Sequence, residues 1–272
     1  MTNRIITLLI LLATYLTMAS WAQAGQPAVS HLCVTDVGPL SFSVVWISSE
    51  PSTCSLRVYD EQRKGLSGAK ILSESSLYPP AEDLGVMKVR VSNLKADTTY
   101  YLHTVTISKA DGKLTVYPKN PVCVRTEKSA IPVNNLVLAQ RIYFKDKVLA
   151  NGSLMVVSIE GGSYPVTGWV GGQAHPPSPW ALVDLNNIYS GLTNKNLEML
   201  GGETINVEAL GGLRGYSSFT RKVPSSFHGP IIELKPAIVL INSTADRPAS
   251  PEEGRQVRAI EHYPTQECYE LP

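Results

Sequence analysis

The chain lacks a second long hydrophobic run. After the apolar stretch that begins at Ile5 and continues with little interruption to Met18, every segment is shorter or more polar. None reaches the roughly 20 apolar residues that a membrane-spanning helix needs. No transmembrane segment is therefore predicted downstream of the N-terminus.

The chain also lacks an excess of charge of one sign. It holds 24 Lys and Arg against 23 Asp and Glu, and the basic residues form no stripe or cluster. Nucleic-acid binding depends on a basic surface that neutralises phosphates. The composition therefore argues against a nucleic-acid partner.

Catalytic and metal-binding motifs are missing as well. No H-E-x-x-H, G-x-S-x-G or P-loop pattern occurs, and no two cysteines are close enough for a zinc site. The histidines are scattered, without a second one at i+2, i+3 or i+4: His31, His103, His175, His228 and His262. We therefore predict no catalytic residue, metal or cofactor, and a non-enzymatic protein.

What the N-terminus does contain is typical of a secretory signal peptide. Arg4 precedes the apolar run, and the small residues Ala22-Gln23-Ala24 follow it. We predict cleavage after Ala24, which makes residues 1–24 the signal peptide. An uncleaved membrane anchor is the alternative, and the shortness of the run argues against it. The mature protein is thus expected to be secreted, periplasmic or held at the cell surface.

Four cysteines remain in the mature chain, and an even number in an exported protein favours disulfides. They are Cys33, Cys54, Cys123 and Cys268. Four cysteines allow three pairings, and their spacing alone does not choose among these.

Residues 27–126 alternate apolar and polar side chains in short runs separated by turn residues, which predicts half-buried antiparallel strands. Leu94 precedes a polar turn, and Tyr100 follows on the next run. In β-sandwiches, a tyrosine at such a corner can bond back to the backbone. Trp46, in "SFSVVW", is the expected core tryptophan.

The Leu94–Tyr100 corner and "SFSVVW", together with "PVCVRTE" near residue 123, resemble a fibronectin type III domain, an immunoglobulin-like β-sandwich. The resemblance implies that the first and last strands are neighbours, which favours pairing of Cys33 with Cys123 and of Cys54 with Cys268. The alternative is two or more free thiols, which an oxidising compartment disfavours. Some exported phosphatases carry a similar domain before a metal-dependent catalytic domain. Their runs of metal ligands do not occur in this chain.

A polar linker, residues 127–135, leads to a second region of alternation at 136–245 with several glycine pairs. Its "NGSLMVVSIEGG" and "GETINVEALGG" faintly resemble transthyretin-like or carboxypeptidase-regulatory sandwiches. Residues 246–272 form a polar, proline-containing tail. The expected fold is therefore all-β, with two consecutive antiparallel β-sandwiches after a signal peptide.

One loop of the second region, residues 164–184, combines aromatic residues with glycines and prolines. Trp169, His175 and Trp180 could form a binding surface for a sugar or a peptide. The alternative, which burial statistics favour, is that both tryptophans are core residues. We expect an exported, non-catalytic protein for binding, adhesion or assembly, with an extracellular protein or glycan as partner. The alternative function is a glycan-binding accessory module of a secreted hydrolase system.

Overall fold

The computed structural model describes residues 26–75, 80–128, 131–172, 177–193, 195–225 and 230–242. The predicted signal peptide, the tail at 246–272, His175 and Cys268 lie outside these ranges. No helix in the described part of the chain has the length and hydrophobicity of a membrane span.

The all-β prediction is confirmed: fourteen strands alternate with turns, and the helical content in the described ranges is two short 3₁₀ turns, at Ala81–Leu84 and Gly212–Arg214. The strands are β1 (Val29–Thr35), β2 (Ser41–Ser48), β3 (Ser52–Tyr59), β4 (Lys70–Glu74), β5 (Val86–Ser92), β6 (Thr99–Ser108), β7 (Leu114–Arg125), β8 (Val137–Phe144), β9 (Leu154–Ile159), β10 (Val166–Trp169), β11 (Trp180–Asp184), β12 (Thr204–Leu210), β13 (Tyr216–Lys222) and β14 (Ile231–Ile241).

The first seven strands form two antiparallel sheets with a shared core, which we call the first sandwich. Their orders are β1-β2-β5-β4 and β3-β6-β7. This is the seven-strand order of a constant-type immunoglobulin domain. Trp46 is fully buried in the core, and its indole N–H donates to Thr106 Oγ1 at 2.9 Å. That bond removes the cost of burying the only polar atom of the ring.

The turn between β5 and β6 has the geometry expected of a tyrosine corner. The Tyr100 hydroxyl accepts a hydrogen bond from the Lys95 backbone N–H at 2.9 Å, and Leu94 is buried in the core below it. The bond satisfies a backbone donor that the turn would otherwise leave unpaired. It therefore fixes the direction in which β6 leaves the turn.

The last seven strands form the second sandwich, with sheet orders β10-β9-β12-β13 and β11-β8-β14. The two sheets also touch at both edges, through bridges that pair Val170 with Ala181 and Tyr216 with Asn242. Gly168 makes one of these edges possible, because a Cβ there would overlap the backbone of Leu182 on β11.

One strand pairing differs from the antiparallel arrangement that we expected. β14 runs parallel to β8, from the pair Ile231–Val137 to the pair Ile241–Phe144, and its register shifts between Glu233 and Ile238. Because β12 and β13 belong to the opposite sheet, the chain crosses the sandwich before β14 and enters beside β8 in the same direction. Alternating hydrophobicity does not distinguish the two strand directions.

The two sandwiches pack against each other through a third apolar cluster, which we call the inter-sandwich interface. β2 and β5 contribute Val45, Ile47 and Val86, and the second sandwich contributes Leu154, Val156 and Leu210, all of them buried. The sheets β1-β2-β5-β4 and β10-β9-β12-β13 are therefore covered on both faces. The four sheets form one stack.

The cysteines do not pair as the resemblance implied. Cys33 and Cys54 are both free thiols, so neither the Cys33–Cys123 bridge nor the Cys54–Cys268 bridge is formed. β1 pairs with β2, and alternation along β1 turns Cys33 away from the first core. Cys33 therefore faces the second sandwich and not β7. Cys123 is disulfide-bonded, and its partner is not among the described residues.

Candidate functional site

The structure brings the two predicted binding tryptophans close together in the fold. Trp169 is the last residue of β10, and Trp180 is the first residue of β11. Because Val170 pairs with Ala181, the tryptophans are diagonal neighbours across the corner where the two strands meet. His175, the third predicted residue, lies outside the described ranges.

Each tryptophan is already engaged with other parts of the protein. Trp169 is partly buried and packs against the inter-sandwich interface. Trp180 is also partly buried, and the Arg141 guanidinium carbon lies 5.2 Å from its ring centroid. Stacking by Arg141 covers one face of the Trp180 ring, which a sugar would otherwise use. The pair therefore does not present the open aromatic platform that a glycan site needs.

Polar side chains hold the two sandwiches in register beside the inter-sandwich interface. Asp36 follows β1 directly and reaches across to β10. Its carboxylate accepts hydrogen bonds from the Thr167 backbone N–H at 2.8 Å and from the Thr167 hydroxyl at 2.6 Å. The buried ammonium of Lys88 lies 3.2 Å from Asp36 and 3.1 Å from Glu74. These groups satisfy one another, so we assign them a structural role.

A second polar group joins the end of β7 to the second sandwich. Glu127 is buried and accepts a hydrogen bond from the Ser163 hydroxyl at 2.7 Å. Burial raises the pKa of Glu127 above its ordinary value, Asp97 adds to this, and Ser163 and Arg125 oppose it. The predicted linker 127–135 thus begins as a buried contact between the sandwiches.

The described residues offer no group of three His, Cys, Asp or Glu side chains that could hold a metal ion. A serine beside a carboxylate with a raised pKa, as at Ser163 and Glu127, is one component of nucleophilic catalysis. A hydroxyl nucleophile also needs a base that takes its proton and is itself oriented by a third group. Ser163 instead contacts Glu127 and the Tyr189 carbonyl as a structural bridge between loops.

The most exposed apolar feature on a regular element is the outer surface of the sheet β11-β8-β14. We call it the outer aliphatic face, and it consists of Leu182, Ile231, Ile238 and Leu240, which are 57%, 56%, 46% and 42% exposed. The strand neighbours Ala181, Val183, Ile232, Val239 and Ile241 point inward into the second core. Both faces of this sheet are therefore apolar, but only one is covered by the second core.

The register aligns the residues of this face in rows across the sheet. Leu182 on β11 is opposite Ala139 on β8, and Trp180 is opposite Arg141. On the other side of β8, Ile238 pairs with Arg141, and Leu240 pairs with Tyr143. Trp180 and Tyr143, both half-buried, extend the aliphatic residues along the sheet. The patch also contains charged residues: Arg141 lies at its centre, and the exposed Glu233, opposite Ala139, lies between Ile231 and Ile238 on β14.

The size of the patch limits what can bind there. Three strands about 4.8 Å apart and about 26 Å long give a footprint of roughly 350 Å². Exposed apolar patches of this size on monomeric proteins are often functional. A stable interface between two folded proteins needs about 800 Å² from each partner. The face alone therefore suits a short segment or a weak contact, and it is too small for a stable dimer.

Neither the outer aliphatic face nor the inter-sandwich interface was predicted from the sequence, although both leave a signal in it. β2, β9 and β14 contain the runs "VVWI", "LMVV" and "AIVLI", which are apolar in both strand phases. Strands that are buried on both faces give such continuous runs, whereas half-buried strands alternate. The runs thus indicated a second apolar face on each strand.

No protein-family model matches the chain, and no curated protein matches it.

Proposed function

We propose that the protein is an exported, non-catalytic binding or assembly protein that attaches to an apolar protein segment through the outer aliphatic face. Export is supported by the signal-peptide pattern of residues 1–24. The observation that carries the proposal is the exposure of Leu182, Ile231, Ile238 and Leu240 on one face of the sheet β11-β8-β14.

The fold supports this function because it holds the face rigidly. The sheet β11-β8-β14 rests on the second core, and the inter-sandwich interface fixes that core to the first sandwich. A pre-organised surface loses little conformational freedom on binding, which favours affinity for a contact of modest area. Sequential weak contacts of this kind are suited to adhesion and surface assembly.

The glycan-binding alternative receives less support from the same geometry. Sugars stack on open aromatic rings, but Arg141 covers one face of Trp180, and Trp169 packs into the inter-sandwich interface. Aliphatic side chains dominate the exposed surface around them. The surface is thus more complementary to an apolar peptide than to a polysaccharide.

Binding of the fluorescently labelled mature protein to an envelope fraction of the source cells tests the proposal. The variant Leu182→Lys/Leu240→Lys places two charges on the outer aliphatic face. The matched control Leu40→Lys/Leu72→Lys places them on exposed leucines of the first sandwich, which are 61% and 51% exposed. We expect the face variant to lose at least tenfold in affinity and the control to bind as the unmodified protein does.

Three other outcomes would contradict the proposal. Equal binding by both double variants would exclude the face. Binding that soluble polysaccharide abolishes, and that Trp180→Ala also removes, would establish the glycan-binding alternative. Turnover of a substrate that chelators inhibit would make the protein an enzyme.

A further inference from the structure

The outer side of the sheet β3-β6-β7 lies at the opposite end of the stack from the outer aliphatic face. Its outward side chains belong to none of the three apolar clusters of the described residues. Cross-strand pairing places Arg57 opposite His103, and Tyr59 opposite Tyr101. We call these four residues the tyrosine–histidine face. Arg57 is exposed, and the other three are half-buried.

A bulge in β7 orients the His103 ring. The pairing of β6 with β7 skips residues 118–121, which leave the ladder beside His103. The His103 Nδ1 atom lies 2.8 Å from the carbonyl oxygen of Pro118. Because a carbonyl only accepts hydrogen bonds, Nδ1 carries a proton and donates it. The neutral ring therefore keeps Nε2 as an acceptor, and no described residue donates to it.

The aromatic rings of this face hold one another in place. The Tyr59 and His103 rings meet edge to face, with centroids 6.0 Å apart and planes at 85°, which is a favourable arrangement. Among the described residues, no guanidinium stacks on either tyrosine, in contrast to Arg141 on Trp180. Paired residues are about 5 Å apart across the strands, and residues two positions apart along a strand are separated by about 7 Å. The four side chains therefore cover an area similar to that of a disaccharide.

The charge of this sheet is of one sign. β3, β6 and β7 contain no Asp or Glu. Arg57 forms no ion pair with a described residue, and Lys119, in the bulge, is exposed. Arg125, at the far end of β7, is paired with Asp97 at 2.9 Å. The turn at 60–64 has two acidic and two basic residues and adds no net charge. The uncompensated charge beside the tyrosines is thus positive, which is complementary to an anionic ligand.

We propose that the tyrosine–histidine face binds an acidic polysaccharide through uronic-acid units, which combine a carboxylate, hydroxyl groups and an apolar C–H face. The Arg57 guanidinium matches the carboxylate with two parallel hydrogen bonds. His103 Nε2 accepts a hydrogen bond from a sugar hydroxyl, and the tyrosine rings pack against the C–H face. An acidic peptide offers the carboxylate without hydroxyls beside an apolar ring. This inference does not depend on the outer aliphatic face.

The first test is isothermal titration calorimetry of the mature protein with sodium polygalacturonate. Arg57→Gln should weaken binding about tenfold, since it removes charge-assisted hydrogen bonds at an exposed position that folding does not need. The matched control is Arg90→Gln, which removes an exposed arginine from the other sheet of the first sandwich and should bind as the unmodified protein does. Leu182→Lys/Leu240→Lys should also retain full affinity, which separates this site from the proposed function.

The second test locates the ligand on the unmodified protein, so that it does not depend on the folding of any variant. In amide-resolved NMR spectra, a short oligogalacturonate should first shift the signals of residues 57–59, 101–103 and 119–120.

Several results would overturn the inference. They are an absence of binding, shifts confined to other residues, equal affinities of Arg57→Gln and Arg90→Gln, and a loss of affinity in Leu182→Lys/Leu240→Lys. Affinity for neutral dextran equal to that for polygalacturonate would exclude the role of Arg57. Equal affinity for polyglutamate would make the ligand an acidic peptide.

Discussion

Gly212 offers a direct way to open the inter-sandwich interface, because it touches the first sandwich through its backbone. Its φ is +59°, and a Cβ there would overlap the carbonyl oxygen of Leu84 and lie 2.8 Å from its carbonyl carbon. Ordinary van der Waals contacts are 3.4–4 Å. Gly212→Ala must therefore move the two backbones apart.

The size of the effect follows from that displacement. A gap of about 1 Å removes a quarter to a half of the dispersion attraction between facing atoms. Overpacking of this kind typically costs about 1–3 kcal/mol, and the upper end applies because a backbone carbonyl cannot rotate away as a side chain can. A left-handed conformation adds about 1–2 kcal/mol of strain for alanine.

Gly172→Ala is the matched control. Its φ is +52°, so alanine suffers the same strain, but no atom lies within 4 Å of the Cβ position. In urea titrations followed by tryptophan fluorescence, Gly212→Ala should be less stable than Gly172→Ala by about 3 kcal/mol. Because Trp169 packs against the interface and Trp46 lies in the first core, the Trp169 signal should change first. Equal midpoints for the two variants would refute our account of the interface.

Substitutions at three further positions test the polar contacts. Asp36→Ala removes both hydrogen bonds that Thr167 donates to a charged acceptor, and it should destabilise the protein by about 3 kcal/mol in urea titrations. Asp36→Asn should cost clearly less, because the amide keeps one acceptor. Equal losses of stability in the two variants would contradict the structural role of the Asp36 carboxylate. Tyr100→Phe should cost about 1 kcal/mol by thermal unfolding, and no loss would mean that water replaces the corner bond. Glu127 has a raised folded pKa, so its contribution to stability falls as pH rises from the ordinary glutamate pKa of 4.5 through that folded pKa. Glu127→Gln, which can still accept a hydrogen bond from Ser163, should thus be more stable than the unmodified protein at pH 7 and equally stable near pH 4. Identical curves of unfolding free energy against pH for the two proteins would exclude a buried charge at Glu127.

Sequence alternation was sufficient to predict strands in this region because most of them present apolar residues to the first core at every second position. Phe42, Val44 and Trp46 alternate on the inner face of β2, and the spacing of Leu94 and Tyr100 places the corner. These are local patterns, in which neighbouring residues decide the structure. They can be recognised without knowing what the opposite face of the strand contacts.

The relations between distant segments could not be predicted in the same way. Val45 and Leu154 meet only because two sheets stack, and β14 pairs with β8 only after the chain has crossed the sandwich. The Cys33 prediction failed for the same reason: the outward face of β1 is covered by a second sandwich that local patterns do not include. Trp169 and Trp180 lie on the two strand ends that flank one loop, but the residues that contact them come from other elements.

The parallel pairing of β14 with β8 also determines the order in which the protein can mature. Val137 and its partner Ile231 are separated by 94 positions, so the second core stays open until nearly all of the described chain has been synthesised. The first sandwich is built from nearer neighbours and can fold earlier, with Val45 and Ile47 still facing water. During synthesis, the chain therefore passes through a stage in which the first sandwich is complete and the apolar residues Val45 and Ile47 are exposed to solvent. A chaperone that shields β2 at this stage should increase the yield, and a pause in synthesis just before β14 should reduce it.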